Sequence, residues 1–533
     1  MGEKSSKHET PVEISSEQNS NTSRNSSAQC DNRRDAEIER AYSLMPDEDD
    51  LERMNTLASQ MRVDEKDYEV RFDDTLDDPE NVARRISKVR KYYISISITA
   101  ASLNITMISS CWALVAEKFM AKFHISREVA VLGISFYIFG LGVGPLLLGP
   151  LSELAGRRLT FIFSLSLSIV WQCLVIWSTT IEGVFFGRFL SGFFGSALLS
   201  VAGGAISDIF SKDEVGIPMT IYTLSVFFGP SLAPIIAGAF AHDDYRWSFI
   251  VLLISCAVTL LLIIFTVPET YAPLLLIEKA KRLRRETGNE RFFAPMEVTR
   301  KNASVAKLVL TSVRKPFGLL FRDKMMAVLC FYTGLVLAII YLYFVAFPYI
   351  FPTLYNFTVF ETGLSYLGLM IGMIIVSPAS IIFQKRYERK VIANNGQRTP
   401  EMRFEALFYG AFLTPAGLMI FAWTCYPSVH WIAPLIGSAV FGAGVFFVFV
   451  GVFNYTVDAY RRFAATAMAC NSFVRSTMSA VFPLFGLQMY QGMGINWAGF
   501  LLAMVAITMI PVPFLFSKYG AYLRSKSPYA WDD

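Results

Sequence analysis

Twelve stretches of about twenty predominantly apolar residues recur along the chain, and a bilayer core about 30 Å thick needs a helix of about that length to cross it. The first six are Tyr92–Leu114, Ala130–Leu151, Leu159–Thr179, Gly183–Ile209, Pro218–Phe240 and Phe249–Val267. After a long polar interval come Met326–Ile350, Thr362–Phe383, Phe404–Thr424, Trp431–Tyr455, Ala464–Leu487 and Trp497–Phe516. The runs are continuous, whereas barrel strands would be shorter and alternate polar with apolar, so helices are the expected spanning structure. Composition agrees: 53% of the 533 residues are hydrophobic and 17% charged, against about 25% charged in soluble domains. A net charge of +4 is too small for a general electrostatic trap, so no nucleic-acid partner is expected. The lipid bilayer is the expected surrounding, and the fold class is an all-α membrane protein.

Lys and Arg are retained on the cytoplasmic side of membranes. Arg84, Arg85, Lys88, Arg90 and Lys91 precede the first span. By alternation Arg157, Arg158, Lys212, the segment Lys279–Lys324, the cluster Lys385–Arg403, Arg461, Arg462, Lys518, Arg524 and Lys526 share that side. The opposite loops hold Lys118, Lys122, Arg127 and Arg246, so both termini are expected to be cytoplasmic. Met1–Asn55 has no apolar stretch resembling a cleavable signal, which leaves insertion to the first span. The seven cysteines fall singly, without metal or disulfide spacing, and no metal site is expected.

The polar interval divides the spans into two sets, and features recur across it. Gly140 and Gly144 in span two, followed by Glu153–Arg158, match Gly368 and Gly372 in span eight, followed by Gln384–Lys390. Span four ends in Ser207-Asp208-Ile209 and span ten in Val457-Asp458-Ala459. This pattern reads as an internal duplication, and transporters often place a solute site between two such halves. The expected organisation is a disordered tail over 1–91, a six-helix bundle over 92–267, a central loop over 268–325, a pseudo-symmetric six-helix bundle over 326–516 and a tail over 517–533. Within the loop, Leu274–Arg285 has apolar residues at helical spacing on a basic background, as in a helix lying near the inner leaflet.

Several motifs carry a family resemblance. Gly149-Pro-Leu-Ser-Glu153-Leu-Ala-Gly156-Arg157-Arg158 forms a glycine-bearing charged turn, Arg188-Phe-Leu-Ser-Gly192-Phe-Phe-Gly195-Ser196 places an arginine inside a span, and Gly229-Pro230-Ser-Leu-Ala233-Pro234-Ile-Ile-Ala237-Gly238 lines small residues along one face. Together with Pro268-Glu269-Thr270-Tyr271-Ala272-Pro273, Asn454-Tyr-Thr-Val-Asp458 and Ser472-Phe-Val-Arg475, they make the chain similar to the major facilitator superfamily, in its branch of fungal twelve-span drug:proton antiporters. The resemblance implies twelve spans in two bundles, and export of drugs, organic cations or polyamines by alternating access. It implies no cofactor, a proton gradient as the driving force, a monomer, and the plasma membrane, with the vacuolar or another internal membrane as alternative. It also puts Glu153 near the start of span eleven, lets Arg188 assist proton movement, and makes Gly229, Pro230, Ala233, Pro234 and Gly238 an antiporter motif, whose two prolines by themselves bend the helix and suggest a pivot. The residues alone equally allow Glu153 as a surface anchor, Arg188 as an arginine snorkelling to the outer interface, and the span-five motif as plain helix packing.

A polyspecific cavity needs aromatic and adaptable apolar walls with few fixed polar partners. The candidates are Asn104, Ser109, Tyr137, Tyr222, Phe227, Tyr332, Tyr341, Phe347, Asn471 and Arg475. No Asp, Glu or Lys lies near the middle of a span, which leaves Glu153, Asp208 and Asp458 as peripheral acids for proton coupling alongside Arg188. An uptake facilitator or proton symporter for a small polar solute stays open, as does a receptor or scaffold that moves nothing. An enzyme is not expected, because no nucleophile–base pair or metal cluster emerges, and no phosphate-binding loop points to ATP.

Overall fold

The computed structural model describes residues 68–72, 86–210, 214–240, 244–297, 305–394, 397, 399–460, 463–527 and 529–530. The expectations for residues 1–67, and for Arg84, Arg85, Lys212, Arg461 and Arg462, lie outside them. Fourteen helices follow in order. The first six spans are α1 (Lys88–Phe123), α2 (Arg127–Ala155), α3 (Arg157–Trp177), α4 (Ile181–Ile209), α5 (Gly216–Ala239) and α6 (Arg246–Thr266). Two connector helices follow, α7 (Ala272–Thr287) and α8 (Val305–Arg322). The last six spans are α9 (Lys324–Tyr355), α10 (Val359–Ala393), α11 (Pro400–Thr424), α12 (Ile432–Ala459), α13 (Ala464–Met493) and α14 (Ile495–Ser525). Among the described residues β structure is confined to one isolated bridge, Glu69 to Phe293.

Eleven of the spans are apolar enough to cross a membrane on composition alone. The twelfth, α13, has 30 residues but dilutes its apolar content with Asn471, Arg475 and several serines and glutamines. Helix starts follow local chemistry. Ser126 caps α2, Thr180 caps α4, and Asp323 accepts the amides of Met325 and Met326 at the start of α9. Thr358 and Glu361 form a capping box at α10. Thr358 also closes the sequon begun by Asn356, so its hydroxyl is already engaged where a glycan would be recognised. Within α4 the helix loosens at Ser196, whose hydroxyl donates back to the Phe193 carbonyl at 2.7 Å, a bond that competes with the helical ladder.

The expected repeat is visible as packing. A Cβ on Gly140 would strike the Phe189 carbonyl of α4, and one on Gly144 would meet Phe193 and Ser196. In the second half Gly372 meets the backbone of Ala439 on α12 in the same way, and Gly368 meets Leu435 and Ser438. Backbone-to-backbone approach of this kind is how helices gain contact where lipid supplies no hydrophobic drive.

Connector helix α7 forms over the stretch expected to be an amphipathic helix. Its apolar side, with Leu274, Ile277, Ala280 and Leu283, packs on Val70, Phe292, Ala294 and Met296, so protein rather than lipid covers it. The Val70 amide donates to the Phe293 carbonyl at 3.0 Å, and the Phe293 amide to Tyr68 at 3.1 Å. Residues 68–72 are thereby stitched to the connector. Helix α8 falls inside the segment read as loop, and packs against both α2 and α13 through contacts such as the edge-on pair Phe317 and Phe473.

Candidate functional site

Arg188 of α4 is fully buried and does not snorkel to an interface. Its Nε donates to the Gly133 carbonyl at 2.9 Å, Nη1 to Ile108 at 2.9 Å and Nη2 to Ser109 at 3.1 Å. The guanidinium lies 4.4 Å from the Tyr137 ring centre and 5.3 Å from that of Trp112. Both rings are pinned in turn, Tyr137 Oη to the Ile105 carbonyl at 2.8 Å and Trp112 Nε1 to Ala130 at 2.7 Å. One charge therefore ties α1, α2 and α4 together through carbonyls, and no carboxylate pairs with it among the described residues.

The α5 motif faces α1. A Cβ on Gly229 would collide with the Thr106 hydroxyl and approach the Leu103 carbonyl to 2.8 Å, and Ala233 and Ala237 are fully buried. At its far end Gly238 abuts Val359 and Phe360 of α10, so the segment touches both halves. Pro234 has no amide to offer the carbonyl four residues back, which belongs to Pro230. Ser110 of α1 fills that vacancy, donating to the Pro230 carbonyl at 2.7 Å.

Residues from both halves meet near mid-depth. The hydroxyls of Ser109 and Tyr341 lie 3.0 Å apart, and the rings of Phe227 and Phe449 meet at a tilt of 34° with centres 4.4 Å apart. Tyr222 donates to the Leu199 carbonyl at 2.6 Å. On α13, Asn471 Nδ2 donates to Thr333 Oγ1 at 2.8 Å, while its Oδ1 is enclosed without a partner among the described residues. Arg475, one turn on, has its guanidinium 5.6 Å from the ring centres of both Phe449 and Phe453. Other candidates lie elsewhere. Asn104 is used between α1 and α6, accepting from Ser255 Oγ at 2.7 Å and donating to Thr259 at 3.3 Å. Phe347 belongs to an aromatic cluster with Tyr343, Phe351, Tyr366 and Phe421 inside the second half. Tyr332 is buried within α9. Cys330 and Cys470, expected to stand alone, lie side by side with sulfurs 3.8 Å apart and unbonded.

The peripheral acids gather at the face that carries the connector. Asp208 accepts from Arg157 Nε at 3.4 Å, and Asp458 from Arg403 Nε at 2.8 Å and Tyr387 Oη at 3.2 Å. Each pair joins the end of one span to the start of another in its own half, so the duplication extends to charge. Glu153 sits within electrostatic range of Arg157 and of Lys315 from α8. The Lys315 ammonium is pulled below its ordinary pKa by burial, against the opposing attraction of Glu153. Glu153 thus faces charges from both α3 and the connector, on a helix that also packs along α13.

Glu269 supplies what α3 lacks. Gly156 precedes α3 with φ of 95° and has no side chain to cap it. The Glu269 carboxylate accepts the amides of Arg157 at 2.9 Å and Arg158 at 3.1 Å, as well as those of Thr270 and Tyr271. A carboxylate at a helix N-terminus is favoured by both the free amides and the dipole. Glu269→Ala is expected to cost about 1–2 kcal/mol, the range of a lost cap. The check is the thermal unfolding midpoint of the purified protein, which should fall, with Glu269→Gln falling less.

Ser110, Thr333, Phe449, Phe453 and Asp323 are members of these arrangements that sequence reasoning did not single out. Three had a signal: prolines four residues apart orphan one carbonyl and call for a donor such as Ser110, and Phe449 and Phe453 are spaced one turn apart on a helix.

Comparison with known proteins agrees with this architecture. Residues 94–483 match the family model described as Major Facilitator Superfamily. The chain is 65% identical over 478 residues to the probable drug/proton antiporter YHK8 of Saccharomyces cerevisiae, covering 90% of this chain and 93% of that one. It is 43% identical to efflux pump atB of Aspergillus terreus, covering 73% and 83% of the two chains. With the multidrug transporter FLU1 of Candida albicans it shares 35% identity over 87% of this chain and 76% of that one. Among solved structures, the proton:xylose symporter XylE bound to 6-bromo-6-deoxy-D-glucose matches with a TM-score of 0.60 and 14% identity, over 81% of this chain and 96% of its own, a likeness of fold. A dozen membrane-length helices in two repeated sets, with an arginine locked into the first set and a small-residue motif touching both, therefore place this chain in the Major Facilitator Superfamily.

Proposed function

We infer that the protein is a secondary active exporter that moves drug-like amphiphiles outward while protons move inward. The observation that carries this reading is the pair of contacts, Ser109 with Tyr341 and Phe227 with Phe449, that close the middle of the molecule using one residue from each half. A solute held there touches both halves, and rocking them apart on either side exposes it alternately. Identity to a probable drug/proton antiporter over most of the chain supports the direction and the coupling ion.

In this reading residues 92–267 and 326–516 are the moving bundles, 268–325 joins them, and 1–91 and 517–533 are cytoplasmic tails of a plasma-membrane monomer. Proton coupling is assigned to the acids Glu153, Asp208 and Asp458, since a carboxylate that exchanges its arginine for a proton releases one helix end from another. Arg188 holds α1, α2 and α4 as one body, and Gly229 to Gly238 is the surface on which α5 pivots.

The test is flux in vesicles of known orientation. Inverted vesicles with an acid interior are expected to accumulate a fluorescent drug, and to lose it when the gradient is collapsed. Accumulation only in right-side-out vesicles would indicate uptake, and none in either orientation would leave a receptor or scaffold. Deleting residues 1–67 should leave flux intact, because the contacts just described lie in the spans.

A further inference from the structure

The interior carries an unbalanced charge. Within the spans every carboxylate lies toward a helix end, from Glu117, Glu128, Glu182 and Glu361 on one face to Glu153, Asp208, Glu388, Glu401, Glu405 and Asp458 on the other. Two guanidiniums occupy the middle. Arg188 is held by three carbonyls. Arg475 differs: no hydrogen bond or ion pair holds its side chain among the described residues, and its Nε is enclosed with no acceptor. It stands eleven residues into α13, about 16 Å from the connector face at 1.5 Å per residue. The residue as a whole is partly exposed while its Nε is enclosed. Phe449 and Phe453 supply ring faces beside it, and the Tyr222 and Tyr341 phenols lie within electrostatic range.

A guanidinium at this depth is costly without a counter-charge, and no carboxylate among the described residues pairs with it. Its planar fork matches a carboxylate bidentately. The neighbouring rings suit an apolar or aromatic body, and the unpartnered Asn471 Oδ1 offers an acceptor one turn away.

We propose that Arg475, flanked by Phe449 and Phe453 and facing the junction of the two halves, is the binding site for the carboxylate of an amphipathic monoanionic cargo. This rests on the transporter reading and narrows it to weak organic acids. It runs against the organic cations and polyamines expected from the family resemblance, because a permanent cation would meet Arg475 and Arg188 with no acid to offset them. Binding neutralises Arg475, so the loaded carrier crosses its closed intermediate without an exposed charge.

The experiment uses three probes of one shape and different charge: para-propylbenzoate, para-propylbenzamide and para-propylbenzylammonium. Affinity is measured by calorimetry on purified full-length protein in nanodiscs at neutral pH, and flux in proteoliposomes with an imposed pH gradient. Wild type is expected to bind the benzoate at least tenfold tighter than the benzamide, and the benzylammonium more weakly still. Arg475→Gln should lower benzoate affinity at least tenfold and leave the benzamide unchanged, whereas Arg475→Lys should keep part of the preference. A matching elution profile and unfolding midpoint establish that each variant is folded, and the wild-type charge series stands without them. Equal or tighter binding of the benzylammonium, no binding of the benzoate, or benzoate affinity indifferent to Arg475→Gln would overturn the proposal. Benzoate binding with no flux of any probe would instead sink the transporter reading and leave the site; gradient-driven flux of the benzylammonium in preference to the benzoate would do the reverse.

Discussion

Arg188→Ala is expected to reduce gradient-driven flux to about one hundredth of wild type or less while the protein still reaches the membrane. The guanidinium makes three bonds to carbonyls on two other helices, and hydrogen bonds to a charged group are worth about 1.5–3 kcal/mol each. Losing the net value of even one or two, with the freed carbonyls left dry, reaches the roughly 2.8 kcal/mol that corresponds to a hundredfold change. Arg188→Lys keeps the charge but not the fork that spans Gly133, Ile108 and Ser109, and should retain no more than about a tenth of the flux, a loss of about 1.4 kcal/mol. The measurement is proton-driven efflux normalised to membrane-inserted protein, with a chromatographic profile as the control for folding. Normal flux in Arg188→Ala would remove this residue from the mechanism.

Gly229→Leu should abolish transport. Even the single carbon of alanine would fall on Thr106 and within 2.8 Å of the Leu103 carbonyl, and overpacking of this kind costs about 1–3 kcal/mol per site. Gly229→Ala is therefore expected to slow flux about tenfold, or about 1.4 kcal/mol. Leucine adds volume that neither helix can move aside without parting α5 from α1. Because the Thr106 hydroxyl is the nearest obstacle, Thr106→Ala in combination with Gly229→Ala should recover part of the rate, and the double-mutant cycle measures that coupling. Undiminished flux in Gly229→Leu would reject the pivot.

The positions of the helices were legible in the sequence, since a bilayer imposes length and apolarity on each crossing. Phe404–Thr424 coincides with its predicted limits. Helices that extend beyond theirs do so where caps or polar residues carry the turn into the headgroup region, as at Lys88 and Tyr355. Rotation about each helix axis was not legible. A helix such as α9, buried on nearly every side, shows no polar stripe to mark its inner face. Hence Asn104 and Asn471, the same residue type within a span, have different surroundings: one is shared with α6 and the other bonds Thr333 beside Arg475. The partners of Arg188 were hidden for another reason, because carbonyls are present at every residue and leave no mark on the sequence. Helix α8 was missed because a basic, polar connector offers no membrane-length signal.

The bridge between Glu69 and Phe293 has a consequence for biogenesis. Its two strands of one residue each are separated by six membrane crossings, so the earlier partner leaves the ribosome long before the later one is synthesised. The contact closes only after the first half has entered the lipid and the connector has emerged beside it. Completion of that bridge would therefore mark, in a nascent chain, the moment at which the first bundle is assembled and the second begins to insert.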